Sequence, residues 1–289
     1  LHLHLDGAIS LSSARQLAKM QGISIPESDA ELTKLMRVSP DCKDLNEFLE
    51  KFDFPCSLMQ TKEGITTAVY NLCEELRSSN VIYAELRFAP QKSCDKGLTQ
   101  EEVVLAALEG LKKSEMRANL ILCCMRGEIN EANNAMNRET VRLTQKYLGK
   151  GVCSTDLAGA EALFPTETFK DIFAYARELG VPFEIHAGEA AGPQSVRQAL
   201  ALGAKRIGHG VRSVEDPSLV TELAAMKMPL LVCPTSNVQT CIAPEVKGLP
   251  IRTFLDAGIP FTISTDDPAV EGTDLKTEWE KVITAFSLS

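Results

Sequence analysis

The sequence holds 289 residues, 44% of them apolar and 24% charged, the composition of a soluble globular protein. A formal net charge of −9 argues against a basic surface for nucleic acid or anionic lipid and favours a small or neutral partner. No run is apolar for long enough to span a membrane, and nine scattered cysteines without a C-x-x-C pair indicate reduced thiols in a cytoplasmic protein, not a disulfide scaffold or a cysteine zinc site.

The first predicted strand is LHLHL (1–5). A long connection over 8–80 follows, with several helices, among them LNEFLEKF (45–52) and TAVYNLCEELRSS (67–79). Strands are then predicted at 81–89, 118–125, 151–158, 182–187, 206–210, 229–234 and 260–266, each nearly continuously apolar, as expected of strands covered on both faces. Between them, apolar spacings of three and four predict helices at 101–116, 139–149, 166–180, 195–203, 217–227 and 251–258. Thr99 and Thr166 stand at N-cap positions, and Gly180, Gly203 and Gly258 follow last turns. Eight strand–helix units predict an α/β protein with a parallel sheet, a (β/α)8 TIM-type barrel with an open doubly wound sheet as its rival. The long first connection reads as a helical insertion after strand 1, at the mouth of the barrel and over the site. Without a linker, repeat or low-complexity segment, 1–289 reads as a single domain. Strand 1 has almost no lead-in and only residues 267–289 follow strand 8, so both termini are expected to be incomplete.

The four histidines carry the functional signal. His2 and His4 alternate along strand 1 and point to one side. His186 ends PFEIH, His209 ends RIGH, and Asp266 and Asp267 end PFTISTDD. All therefore fall at the C-terminal ends of predicted strands, the rim on which barrel sites are built. Each piece has a bland alternative: a histidine pair on a half-exposed strand, a satisfied structural histidine, an Asp-Asp helix cap. Their coincidence favours a site. Imidazoles with a carboxylate suit zinc, which in catalytic sites keeps a position open for water. Glu189 follows His186 by three residues across a glycine turn, where a shielded carboxyl can serve as proton donor; its alternative is a carboxylate facing the N-terminus of the 195–203 helix.

Taken together, HLHLDG (2–7), FLEKFD (48–53), ELRFAP (85–90), DLAG (156–159), HAGEAAGP (186–193), GHGVRSVEDP (208–217), CPTSN (233–237) and STDDPAV (264–270) resemble the adenosine deaminase family of metal-dependent hydrolases, in family order and over nearly the whole chain. The resemblance implies a (β/α)8 barrel and one zinc ion per chain, held by His2, His4, His186 and Asp266. It implies that Glu189 protonates purine N1, that activated water attacks C6, that His209 orients this water, and that Asp266 helps to receive its proton. Adenosine or 2′-deoxyadenosine would thus give inosine or deoxyinosine and ammonia, a step of purine salvage. His4 and Glu189 would also border the substrate, with Asp267 on N7, the Gly159 backbone on N3, and Asp6 on the ribose. Leu45, Phe48, Leu49 and Phe52 look like an apolar lid, although their spacing fits core packing equally. Ala160 departs from the family, whose members often carry a polar residue there.

Rival readings remain. A two-metal relative usually needs a lysine at the end of strand four, where this chain has Ser154, Thr155, Asp156 and Leu157, with Lys150 before the strand. Adenine or another aminopurine is the alternative substrate. AMP fits less well, because no Gly-rich or clustered-arginine phosphate cradle is visible. The H-x-E…P-C-x-x-C pattern of the other zinc deaminases is absent. A non-catalytic binding or signalling relative would be expected to lose Glu189 or a ligand, and none is lost.

Overall fold

The computed structural model describes residues 1–288. Eight strands form in the predicted places: β1 (Leu3–His4), β2 (Ala84–Phe88), β3 (Ala118–Met125), β4 (Val152–Ala158), β5 (Ile185–Ala187), β6 (Ile207–His209), β7 (Leu230–Val232) and β8 (Phe261–Ile263). They make two four-stranded parallel sheets, β1-β2-β3-β4 and β5-β6-β7-β8. Backbone bonds join the sheets at both seams. At one, Thr155 N donates to Pro182 O (3.1 Å) and Glu184 N to Thr155 O (3.0 Å). At the other, His4 N donates to Asp266 O (2.9 Å) and Asp266 N to His2 O (3.0 Å).

β3 shows why these segments become strands. Leu120 to Cys124 are all buried, although successive side chains point to opposite faces. Leu120 and Leu122 join Val103, Val104 and Ala107 of the helix Gln100–Lys113 in one core cluster. Cys123 instead packs with Ala89 and Ala158 at the strands' C-terminal ends. The small size of these three side chains leaves room for a cavity there.

Of the two threonines predicted as N-caps, one caps its helix. Thr99 makes a capping box with Glu102, whose side chain accepts from Thr99 N (3.0 Å). Thr166 does not cap. It opens a 3-10 turn, Thr166–Phe169, ahead of the helix Lys170–Glu178, and its buried hydroxyl is committed to tertiary contacts. Between β1 and β2 lie five α-helices, Leu11–Gln21, Asp29–Met36, Leu45–Leu49, Asp53–Ser57 and Lys62–Ser78. Past β8 come a four-residue turn of helix, Pro268–Glu271, and the twelve-residue helix Leu275–Phe286, capped by Asp274 on Thr277 N (2.7 Å). Among the described residues no helix is long and apolar enough to cross a membrane.

Candidate functional site

His2 and His4 flank Leu3, so both imidazoles project from the same face of the chain. The seam bonds to Asp266 bring its carboxylate beside them, and β5 presents His186 from across the strands' C-terminal end. His2 Nε2 and His4 Nε2 lie 3.0 and 3.2 Å from His186 Nε2, and 3.0 and 3.3 Å from Asp266 Oδ1. Ligands 2.05 Å from a tetrahedral zinc are about 3.3 Å apart, so these four atoms already stand near the corners of such a site. Burial pushes His2 well below the usual histidine range and His4 down to about 3, which leaves both rings neutral with lone pairs free to ligate. Burial acts to raise Asp266, yet His2 and His209 beside it hold its carboxyl well below the usual range. Asp266 Oδ1 is buried without a hydrogen-bond donor, so its lone pairs lack a partner within the protein. The donor set and its spacing fit a zinc ion.

His186, behind this cluster, is itself oriented. His186 Nδ1 lies 2.9 Å from Asp156 Oδ2, which places the ring proton on Nδ1 and turns the Nε2 lone pair inward. The same Asp156 oxygen accepts from Arg87 Nη1 (2.8 Å), and Arg87 Nη2 reaches Glu184 (3.3 Å). Arg87 and Asp156 are both fully buried, so each charge depends on its partner. Burial opposes ionisation of Asp156, but His186 and Arg87 keep it far below the ordinary carboxylate range.

Glu189 and His209 stand on the open side of the cluster. Glu189 Oε2 and Asp266 Oδ2 each lie 3.6 Å from His209 Nε2. Burial, then the charge of Asp266, pushes Glu189 up to about 8, so its carboxyl holds a proton at neutral pH. Burial lowers His209 and keeps it neutral. Asn237 Nδ2 donates to its Nδ1 (3.2 Å), which leaves the ring proton on Nε2, facing the carboxylates. His209 (φ 60°) and Asp266 (φ 56°) both adopt the left-handed backbone region, a strain of roughly 1–3 kcal/mol each that is common at functional sites. A second carboxylate, Glu161, stands close to the start of the helix Pro193–Leu202. The backbone N–H groups of Gly188, Glu189 and Ala191, and the hydroxyl of Ser195 in that helix, go to Glu161.

A cavity of about 240 Å³ opens over this group. His4, His186, Glu189, His209, Asp266, Asp267, Asp6 and Gly159 line it, together with Leu45, Phe48, Leu49 and Phe52; His2 sits behind the wall. The four apolar residues face the cavity and also pack on Val38, Cys42 and Val270, so their spacing serves both purposes. Burial raises Asp267 well above the carboxylate range and Asp6 to about 6. Gly159 (φ 109°) has a backbone that a side chain would strain. At Gly7 a Cβ would lie 1.7 Å from Asp267 Oδ1, so only glycine lets this turn approach the carboxyl.

The sequence reading gave no role to Arg87, Asp156, Glu161, Arg126 or Asn237. A detectable signal existed for the first two, which are charges inside strands expected to be covered on both faces. The partners of the others are far away in the chain and leave no local pattern.

The whole chain, residues 1–289, matches the sequence family described as Adenosine deaminase. It is 45% identical over 298 residues to an adenosine deaminase of Haemophilus ducreyi, a match covering 100% of this chain and 86% of that protein. The structure is similar to adenine deaminase from Arthrobacter aurescens, with a TM-score of 0.86 and 26% identity over 100% of this chain and 87% of that one. It is similar also to Arabidopsis ADAL complexed with IMP, with a TM-score of 0.85 and 25% identity over 100% and 86%.

Proposed function

Because the chain belongs to the adenosine deaminase family, we propose that it replaces the 6-amino group of adenosine and 2′-deoxyadenosine with oxygen, consuming water and releasing ammonia. The observation that carries this reading is a buried carboxyl, Glu189, pushed up to about 8 by burial, beside a zinc-shaped set of donors at the base of a cavity.

His2, His4, His186 and Asp266 would hold one zinc ion. Bound there, zinc supplies Lewis acidity that lowers the pKa of a water to about 7. The chain's own residues do the rest. Glu189 donates its proton to purine N1, which draws electrons from C6 and opens it to water. His209 holds the incoming oxygen through Nε2–H, and Asp266 Oδ2, 3.6 Å from that nitrogen, receives a proton from it. Asp266 then passes that proton to N6, the C6–N6 bond breaks and ammonia departs, and the C6 hydroxyl proton returns to Glu189 as the carbonyl forms. Purine N7 is an acceptor, so the raised Asp267 suits it as a protonated partner. The Gly159 backbone meets N3 and Asp6 the ribose, while Leu45, Phe48, Leu49 and Phe52 exclude water. The bonded seams support reading the two sheets as one closed (β/α)8 barrel in a single domain, with the helices between β1 and β2 as an insertion over its mouth.

Ultraviolet-monitored turnover of adenosine, on chelator-stripped protein with and without added zinc, tests the reading. Activity that returns with zinc is expected, with adenine and AMP as specificity controls. Turnover of adenine in preference to adenosine would reassign the substrate, and no turnover with zinc bound would refute the reaction.

A further inference from the structure

The segment from His186 to Ala191 carries one metal-facing imidazole and the proton donor, and a buried hydrogen-bond ring grips it at both ends. Arg126 Nη2 donates to His186 O (2.6 Å) and to Thr166 Oγ1 (2.9 Å). Thr166 Oγ1 lies 2.9 Å from Ser195 Oγ, which lies 2.5 Å from Glu161 Oε1. Glu161 Oε1 also accepts from Gly188 N (2.8 Å), and Oε2 accepts from Glu189 N (3.0 Å) and Ala191 N (2.9 Å).

We propose that Glu161 is the positioning residue that fixes Glu189 for proton transfer, acting as an acceptor-only carboxylate at the end of this ring; the proposal rests on the reading of Glu189 as the acid. The ring has only one consistent direction. Arginine can only donate, so the Thr166 hydroxyl accepts from it and donates to Ser195, and Ser195 donates to Glu161. Glu161 thus receives four donors and faces no acceptor. A glutamine of the same shape would aim its NH2 at one or more backbone N–H groups whichever way it turned. All four side chains of the ring are buried, where such chains reinforce one another and where a broken link is costly. The grip is polarised: a cation holds the carbonyl of His186, and an anion holds the N–H groups of residues 188, 189 and 191. Glu161 lies two residues past Gly159, so one side chain also ties the loop after β4, which walls the cavity, to the loop after β5.

A merely structural clamp would lower stability and leave the turnover of folded molecules intact. The test compares the zinc-loaded full chain with Glu161→Gln, Glu189→Gln and the double variant, measuring kcat and KM for adenosine, zinc content and thermal midpoint. Glu161→Gln should keep its zinc and its KM to within about threefold, and lose kcat about 10²-fold, the scale of a 1 Å misplacement. In the Glu189→Gln background the same change should cost kcat less than about threefold, because no acid remains to be placed. An unchanged kcat in Glu161→Gln, or an equal loss in both backgrounds, would overturn the proposal. If Glu161→Gln does not fold, Ser195→Ala and Thr166→Val each remove one hydroxyl, and with it two hydrogen bonds, from the ring. A loss of about tenfold in kcat that disappears in the Glu189→Gln background supports the ring, and wild-type kcat in both overturns it. Absence of adenosine turnover by the wild type refutes the reading of Glu189 and the proposal with it. Wild-type turnover matched by Glu161→Gln refutes the proposal alone.

Discussion

Glu189 combines two properties that a general acid needs: a proton at neutral pH and a position at the edge of the cavity. Glu189→Gln keeps the volume and removes the proton, so it should retain zinc and lose kcat by about 10²- to 10⁴-fold, the usual contribution of general acid catalysis. Metal analysis alongside steady-state rates checks this, and wild-type-like turnover would remove Glu189 from the role. Its raised pKa of about 8 fixes a sign for pH dependence. Only the protonated form donates, so kcat should hold below that value and fall as pH rises through it. A profile of kcat against pH that stays flat to pH 10 would contradict the assignment. At this scale the histidines, Glu189 and the Asp pair were legible because the chain has only four histidines and all fall at strand ends. Glu161, Asn237 and Arg126 were not, because a buried polar side chain shows its purpose only through its partners. Glu161 meets residues 27 to 34 positions away, and Asn237 meets His209 across 28.

At the level of elements, the site depends on how closely short turns can approach one another. The 3-10 turn Asp6–Ala8 that leaves β1 runs against Asp267 at the start of the turn after β8. A methyl group at Gly7 would fall inside the Asp267 carboxyl, and this contact is not the far end of a flexible chain, because the Asp267 Cβ lies within 2.6 Å as well. Gly7→Ala should therefore displace Asp267 and lower kcat/KM for adenosine by at least about tenfold, roughly one hydrogen bond to substrate, with zinc retained. Metal content and kcat/KM measured together check this; an unaffected kcat/KM would mean that Asp267 does not hold the purine. The strands were legible as elements because their apolar runs are covered on both faces, and their ends were overdrawn because the flanking residues belong to turns. The helix Leu275–Phe286 was hidden for the opposite reason. It buries Glu278 and Val282 while Trp279 and Ile283 remain exposed, so its apolar period does not mark its inner face. Thr166 misled as a cap because its hydroxyl serves the Arg126–Ser195 ring.

Across the whole molecule, the proposed ligands are divided between the two sheets. His2 and His4 come from the β1 end of the first, while His186 and Asp266 come from the second, at β5 and beyond β8. One seam brings Asp266 to His2 and His4 through the backbone, and across the other His186 meets Asp156 of β4. A metal at this point therefore closes contacts that unfolding of either half would break. Such an ion binds the native chain far better than the unfolded one, and at a hundred times its Kd it adds about 2.7 kcal/mol of stability. Zinc should raise the thermal midpoint of chelator-stripped protein by several degrees, at about 2–4 °C per kcal/mol for chains approaching this size. His186→Ala removes the ligand shared by both short Nε2 contacts and leaves Asp156 paired with Arg87. It should lose zinc and activity together, and its melting should become insensitive to added zinc. Differential scanning calorimetry with metal analysis checks both statements. A His186→Ala protein with full metal content and an intact zinc-dependent rise would show that the ligands lie elsewhere. A zinc-sensitive transition confined to part of the unfolding enthalpy would show that the two sheets melt separately, with the metal belonging to one of them.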